Sequence, residues 1–357
     1  MPRFPFRSEQ GKRGTSSTVR WHGRASQSAC SIAVLTLTLI TTACSPSSIN
    51  SVLQYSGGLS NAPSPQITPT YDGSGNVVEP SILFFPSGWR GFHYWLVVGP
   101  YPNSDASKEN PSILVSDDGT SWEVPPGLTN PIDLPTSGHL ADSELFYDEA
   151  SDRLCVYYIW EDYRGFSRIL RKVSSDGIQW SQSEDLFKVR VNDVVSPTVD
   201  KIGDTYYMWS INSGTAGCET TNTTTEYRTS TDGAVWSAPQ LVNISQAGYV
   251  IWHIEVRYVP SKQEYWMLSA AYPAGDQCGH TVLFFNNSSD GVNWTSYPNP
   301  ALGIGSGWDS GEIYRSTFLF DPSLNMLKVW YSARGGSEWH MGFTAGAYTG
   351  FLRSLQN

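Results

Sequence analysis

Ser116-Asp117-Asp118-Gly119-Thr120-Ser121-Trp122 is a phrase that this chain repeats. It returns as Ser174-Ser175-Asp176-Gly177-Ile178-Gln179-Trp180, as Ser230-Thr231-Asp232-Gly233-Ala234-Val235-Trp236 and as Ser288-Ser289-Asp290-Gly291-Val292-Asn293-Trp294. The shared pattern is S-x-D-G-x-x-W, and successive copies begin 58, 56 and 58 residues apart. Self-similarity at a fixed period marks a repeat architecture. Asp-Gly signals a tight turn, because Gly supplies positive φ and Asp bonds its own backbone. The Trp three residues beyond the Gly can fold back over that turn and bury a large ring. Each phrase therefore reads as a hairpin pinned by an aromatic, with its Asp and Trp as architecture rather than catalysis.

The stretches leading into each phrase read as short strands. Ahead of the first phrase these are Pro80 to Phe85, Phe92 to Val98 and Pro111 to Val115. Comparable triplets precede the other three phrases, and a further unit follows the last one, through Ile313 to Phe320, Leu327 to Tyr331 and Met341 to Thr344. No amphipathic helix is evident between residues 67 and 357. Five radially repeated sheets of 50–60 residues predict an all-β, five-bladed β-propeller of four-stranded antiparallel blades. The fifth unit lacks the phrase, so its outer strand is expected from residues 67–78, closing the ring.

The N-terminus reads as targeting sequence. Residues 1–29 are polar and basic, an apolar run covers Ile32 to Ile40, and Thr41-Thr42-Ala43-Cys44-Ser45 follows. That run is shorter than the roughly 20 residues a spanning helix needs. It fits a secretory signal over residues 1–43. A small residue followed by Cys resembles the bacterial lipoprotein box, which implies lipidation of Cys44 and a place at the cell surface or outer membrane; plain secretion or a periplasmic place is the alternative. Residues 44–66, rich in Ser, Pro, Asn and Gly, have the composition of a flexible tether. The propeller is then expected over 67–357, as a monomer.

Of 23 Lys+Arg and 33 Asp+Glu, residues 1–43 hold six and one, which leaves the rest of the chain with a net charge of −15. This argues against nucleic acid or an anionic lipid surface as partner. The 14 Trp and 19 Tyr serve propeller packing, and exposed members can stack on sugar rings. Cys155 lies in an apolar strand and reads as a buried thiol. Cys218 and Cys278 occupy similar Gly-rich loops of consecutive repeats, and an exported protein permits a disulfide between them. No zinc spacing is present.

Aligning the five first strands puts Glu79-Pro80-Ser81, Asp142-Ser143-Glu144, Ser196-Pro197-Thr198, His253-Ile254-Glu255 and Glu312-Ile313-Tyr314 in register. In a propeller these strands line the central channel, and their starting residues converge at one mouth. Third-strand starts reach the same face and add Glu109-Asn110, His280 and Glu338-Trp339-His340. Clustered acids raise one another's pKa, and such clusters mark functional sites. Two carboxylates suit glycoside hydrolysis, one protonating the leaving oxygen and the other activating water or attacking.

The phrases, the blade period and these acids resemble the five-bladed propeller glycosidases, the superfamily of family 43 glycoside hydrolases and their relatives. The resemblance spans residues 67–357. It implies an Asp-Pro base in blade one, a pKa-tuning Asp in blade two and a general-acid Glu in blade three. Glu79-Pro80 stands at the first position, with Glu for Asp, and Asp142 at the second. Ser196 stands at the third, where no acid is present, so Glu255 becomes the candidate acid, with Glu312 behind it. Glu79, Asp142 and Glu255 are thus the expected catalytic set. Glu109, Asn110, Glu144, Trp252, His253, Glu312 and Arg315 are expected to bind substrate. The family leaves room for Ca2+ or another hard cation in the channel, with no cofactor required.

The expected activity is an exported glycoside hydrolase acting on plant or microbial polysaccharide. The missing acid at Ser196 keeps a non-catalytic glycan-binding lipoprotein as the alternative. A sialidase is less favoured: its box is one residue longer, and Arg257 and Arg315 lack a third arginine. A protein-interaction propeller is the default for the architecture alone. Loops at Pro102–Asn110, Asn212–Thr225 and Ala274–His280 are expected to shape the pocket.

Overall fold

The computed structural model describes residues 58–356, so the signal segment, Cys44 and most of the tether lie outside the described residues. Five antiparallel sheets form a ring. Blade 1 comprises β1 (Val77–Trp89), β2 (Phe92–Pro100) and β3 (Ser112–Ser116). Blade 2 comprises β4 (His139–Asp148), β5 (Arg153–Glu161), β6 (Phe166–Ser174) and β7 (Glu184–Arg190). Blade 3 comprises β8 (Val195–Ile202), β9 (Thr205–Asn212), β10 (Thr224–Ser230) and β11 (Gln240–Leu241). Blade 4 comprises β12 (Tyr249–Val259), β13 (Glu264–Pro273), β14 (Val282–Ser288) and β15 (Thr295–Ser296). Blade 5 comprises β16 (Glu312–Asp321), β17 (Met326–Arg334) and β18 (Trp339–Ala347). The first strands touch in the order β1, β4, β8, β12, β16 and back to β1, which closes the channel.

The repeated phrase turns each blade by the same hydrogen bonds. The Ser Oγ accepts the Gly N–H at 2.8–3.0 Å. The Asp Oδ1 accepts the N–H groups two and three residues on, at 2.7–2.9 Å. The glycine is required twice over. It holds φ near +75° in all four copies, and a ring from the preceding blade lies against it. Trp330 Nε1 donates to Gly119 O, Tyr157 Oη to Gly233 O, and Trp209 Nε1 to Gly291 O. A Cβ at Gly177 would lie 2.1 Å from Trp95. The phrases are therefore the joints between blades.

Blade 5 departs from the sequence-based expectation. It has three strands and no phrase, and no strand from residues 67–78 joins it. Its joint is a helix, α1 (Tyr348–Gln356), which the sequence reading did not anticipate because nine residues give too short a periodic signal. Tyr348 stacks on Trp266 of blade 4 at 4.5 Å, where a phrase would otherwise meet that ring. Phe351 and Leu355 of α1 are buried beside it. Residues 58–66 run along blade 5 instead of hanging free: Gln66 N–H donates to Met341 O, and Ala62 N–H to Tyr331 Oη. Blade 1 also has three strands, extended only by a bridge from Val115 to Glu123.

Candidate functional site

The mouth is built from a defect repeated in the first strands. Pairing slips between Val78 and Ser81 of β1, between Ala141 and Glu144 of β4, between Val195 and Thr198 of β8, and between Ile313 and Ser316 of β16. The first bulged residue in three of these takes positive φ: Glu79 at 57°, Asp142 at 54° and Ser196 at 55°. Left-handed backbone at a non-glycine residue costs about 1–3 kcal/mol and persists where surroundings enforce it. The bulge frees an N–H, and the neighbouring blade accepts it. Asp142 N–H donates to Glu79 Oε2 at 2.7 Å, and Ser196 N–H donates to Asp142 Oδ2 at 2.8 Å. Each acid thus fixes the backbone that carries the next residue of the site.

The register corrects the sequence alignment at blade 5. Tyr314, not Glu312, occupies the bulge equivalent to Glu79 and Asp142. Glu312 lies two residues earlier, where it accepts from Arg334 Nε. The Tyr314 ring packs 4.2 Å from the His253 ring, and its hydroxyl accepts Trp252 Nε1 at 3.3 Å. Trp252 and Trp339 lie beside it and are buried, so neither presents an open face.

Glu79, Asp142 and His253 converge, each offering a ligand atom within 4.8 Å of the others. All three are at least 95% buried. His253 Nδ1 lies 3.0 Å from Ser196 Oγ, which reaches Ile254 O. With the imidazole proton on Nδ1, that hydroxyl accepts it, and Nε2 keeps a free lone pair. His253 Nε2 is buried without a hydrogen-bond partner, and Asp142 Oδ1 is approached by His253 Nδ1 at 3.4 Å and Arg315 Nη1 at 3.9 Å. Two carboxylates and an imidazole whose ligand atoms converge within 4.8 Å fit a divalent cation.

The charges around this cluster differ in state. Desolvation favours a neutral Asp142, but His253 Nδ1, 3.4 Å from its Oδ1, and the Arg315 charge hold its carboxyl well below the usual range. Burial pushes Glu79 well up, and the charges of Asp142 and Glu109 add to it. Burial likewise pushes Glu109, which touches Glu79, up to about 8. The close approach of Glu109 depends on Gly99, where a Cβ would lie 2.7 Å from Glu109 Cγ. Burial lowers the His253 pKa against the opposing pull of Asp142, so the imidazole is neutral.

Below the mouth the channel is an ion-pair plug. Arg315 is fully buried and donates to Glu144 at 2.8 Å and to Glu255 at 3.4 Å, with Asp142 3.9 Å away. Arg257 binds the other oxygen of Glu255 at 2.7 Å. Glu144 and Glu255 are therefore brought together by arginines, beneath the cluster and away from solvent. Asn110 follows Glu109 and donates to Tyr71 Oη and Ser107 O. The blade 2 lip adds His139 and Glu161, 3.6 Å apart, which the sequence alignment did not single out. Burial pushes Glu161 up to about 7, and Asp142 adds to it. A disulfide joins Cys218 and Cys278 across the rim loops of blades 3 and 4. Cys155 is a buried free thiol. Among the described residues, no helix is long and apolar enough to cross a membrane.

No family model matches the chain. It is similar to the A type blood N-acetyl-α-D-galactosamine deacetylase of Flavonifractor plautii, 29% identical over 358 residues, which is 85% of this chain. The chain spans about half of that curated relative, 46% of its length. A crystal structure of an N-acetylgalactosamine deacetylase from F. plautii, in complex with blood group B trisaccharide, superposes with a TM-score of 0.79. It is 27% identical, over 84% of this chain and 98% of that one. A thermostable family-43 glycoside hydrolase superposes with a TM-score of 0.56 at 14% identity, over 75% of this chain and 88% of that one. The chain folds as a five-bladed β-propeller, similar in fold to family-43 glycoside hydrolases and in sequence to a carbohydrate deacetylase.

Proposed function

We propose that the propeller mouth hydrolyses the acyl amide of N-acylated sugars, with a divalent cation held by Glu79, Asp142 and His253. The observation that carries this reading is the convergence of two carboxylates and a neutral imidazole, with His253 Nε2 buried and without a hydrogen-bond partner. The sequence similarity to a deacetylase supports it. When bound, the cation supplies Lewis-acid polarisation of the acyl carbonyl. The chain's own groups supply the proton transfers. Glu109, raised to about 8 beside Glu79, takes a proton from the attacking water. It then returns that proton to the amine nitrogen as the C–N bond breaks, giving a free carboxylate and an amino sugar. Tyr314 donates its hydroxyl proton toward the developing oxyanion; that hydroxyl already accepts from Trp252 and donates to no acceptor among the described residues.

The glycosidase expected from the sequence is the second reading, favoured by the three mouth acids Glu79, Glu109 and Asp142. It needs a general acid across the glycosidic bond from the base. Glu255, the sequence candidate, is closed into the plug, which weighs against it. Export, with an anchor at Cys44, remains part of the proposal, since polymeric glycans are met outside the cell. Cation binding by equilibrium dialysis, alongside a coupled assay for released acetate, tests the function. Saturable binding at one site, lost in Asp142→Asn together with acetate release, is expected. Acetate release that chelation leaves untouched overturns the cation's role.

A further inference from the structure

We propose that Tyr163 is the platform for a second sugar, the unit linked to the acylated one, and that it makes the site selective for oligosaccharides. This rests on the reading of the mouth as an N-acylated sugar site. Tyr163 lies in the hairpin between β5 and β6, which opens on the same face as the Glu79–Asp142–His253 cluster. It is 72% exposed. The only other exposed aromatic in this hairpin region, Phe166, has its face covered by Lys188 Nζ at 3.5 Å. Tyr163 therefore offers an open ring beside the mouth.

Two features fix that ring. Its backbone holds φ at 56°, a conformation rare for a bulky residue, in a turn where Asp162 Oδ1 accepts Arg164 N–H at 2.8 Å. Its ring packs against His139, with centroids 5.6 Å apart and planes tilted by 34°. His139 lies three residues before Asp142 in β4, paired with Glu161 ahead of the bulge, and its Nδ1 is buried without a hydrogen-bond partner. A path thus runs outward from Asp142 over His139 and Glu161 to Tyr163, from ionic to polar to aromatic. A pyranose has an apolar face of C–H groups with partial positive charge, which complements the negative face of an aromatic ring. A Gly or Asn would hold this turn at less cost, so the strained tyrosine points to a role for the ring.

The test measures saccharide binding to the whole chain by isothermal titration, independently of turnover. The probes are N-acetylgalactosamine and a trisaccharide that carries it at the non-reducing end. Tyr163→Ala is predicted to weaken trisaccharide binding roughly three- to tenfold and to leave the monosaccharide unchanged. Tyr163→Trp restores the trisaccharide. Equal weakening of both ligands, or no weakening of either, overturns the platform while leaving the mouth reading intact. Failure of wild-type protein to bind either saccharide overturns the mouth reading and this inference with it.

Discussion

Asp142 uses one carboxylate oxygen to hold the Ser196 amide and turns the other toward His253 Nδ1, 3.4 Å away. Substitution can separate these roles. Asp142→Asn keeps an acceptor for Ser196 and removes the charge, so it is predicted to fold normally. It should lose more turnover than the roughly 10- to 100-fold typical of an outer-shell metal partner. Melting curves and acetate release on the same preparation check this. Glu109 sets a pH dependence. Its carboxyl is raised to about 8 without a cation and a bound cation draws it down, so the basic form accumulates as pH rises and kcat/KM should climb to a plateau below that value. Glu109→Gln should abolish the rise. The same shift acts on stability with the opposite sign. The unfolded chain releases this proton near the ordinary value of 4.5 and the folded chain near 8, so the folded state binds more protons between them. Glu144, also raised to about 8 by burial and by Glu255, contributes in the same direction. The melting temperature of chelator-treated protein is therefore predicted to fall from about pH 5 to 8, and less steeply in Glu109→Gln. Glu79 and Asp142 were legible in the sequence because an acid opens both first strands. Tyr314 was not, because a bulge shifts register without a residue signature. One signal was available: Ser81, Glu144, Thr198, Glu255 and Ser316 each lie two positions past the residue that reaches the mouth. Alignment on them brings Tyr314 into line with Glu79, Asp142, Ser196 and His253.

At the scale of elements, the joints between blades make the sharpest predictions. Gly177 and Gly73 both hold φ at 75°, but only Gly177 has a ring where its Cβ would lie. Gly73→Ala should cost only the left-handed backbone term, about 1–2 kcal/mol. Gly177→Ala must also displace Trp95, a buried ring of blade 1, and should cost visibly more in urea unfolding. Helix α1 stands in for the missing fifth phrase. Tyr348→Ala removes its stack on Trp266 and should destabilise by roughly 3–5 kcal/mol, in the range of other buried aromatic truncations. The four phrases were plain in the sequence because Asp-Gly turn chemistry is local. The helix was hidden because its stability comes from tertiary contact with blade 4, and nine residues carry little pattern of their own.

At the scale of the molecule, Arg315 links the ring. From blade 5 it reaches Ser143 O and Glu144 in blade 2, Pro197 O in blade 3 and Glu255 in blade 4. Removing one partner of a buried ion pair leaves the other uncompensated, at a cost of about 3–5 kcal/mol. Arg315→Met should therefore lower the urea midpoint more than any surface change. The plug also separates two groups of acids that look alike in the sequence. Glu144 and Glu255 are paired with arginines in the plug, while Glu79, Glu109 and Asp142 cluster at the mouth. That partition moves the expected chemistry from two carboxylates astride a glycosidic bond to a cation seat with a carboxylate base. The most direct measurement is a proton NMR time course of the purified chain on an N-acetylgalactosamine-terminated oligosaccharide. The growth of a free acetate methyl signal, with no new reducing-end anomeric signal, a shift confined to the anomeric proton of the deacylated sugar and the reaction stopped by chelator, is the predicted result. New reducing-end anomeric signals without acetate would contradict it and return the mouth to glycosidase chemistry.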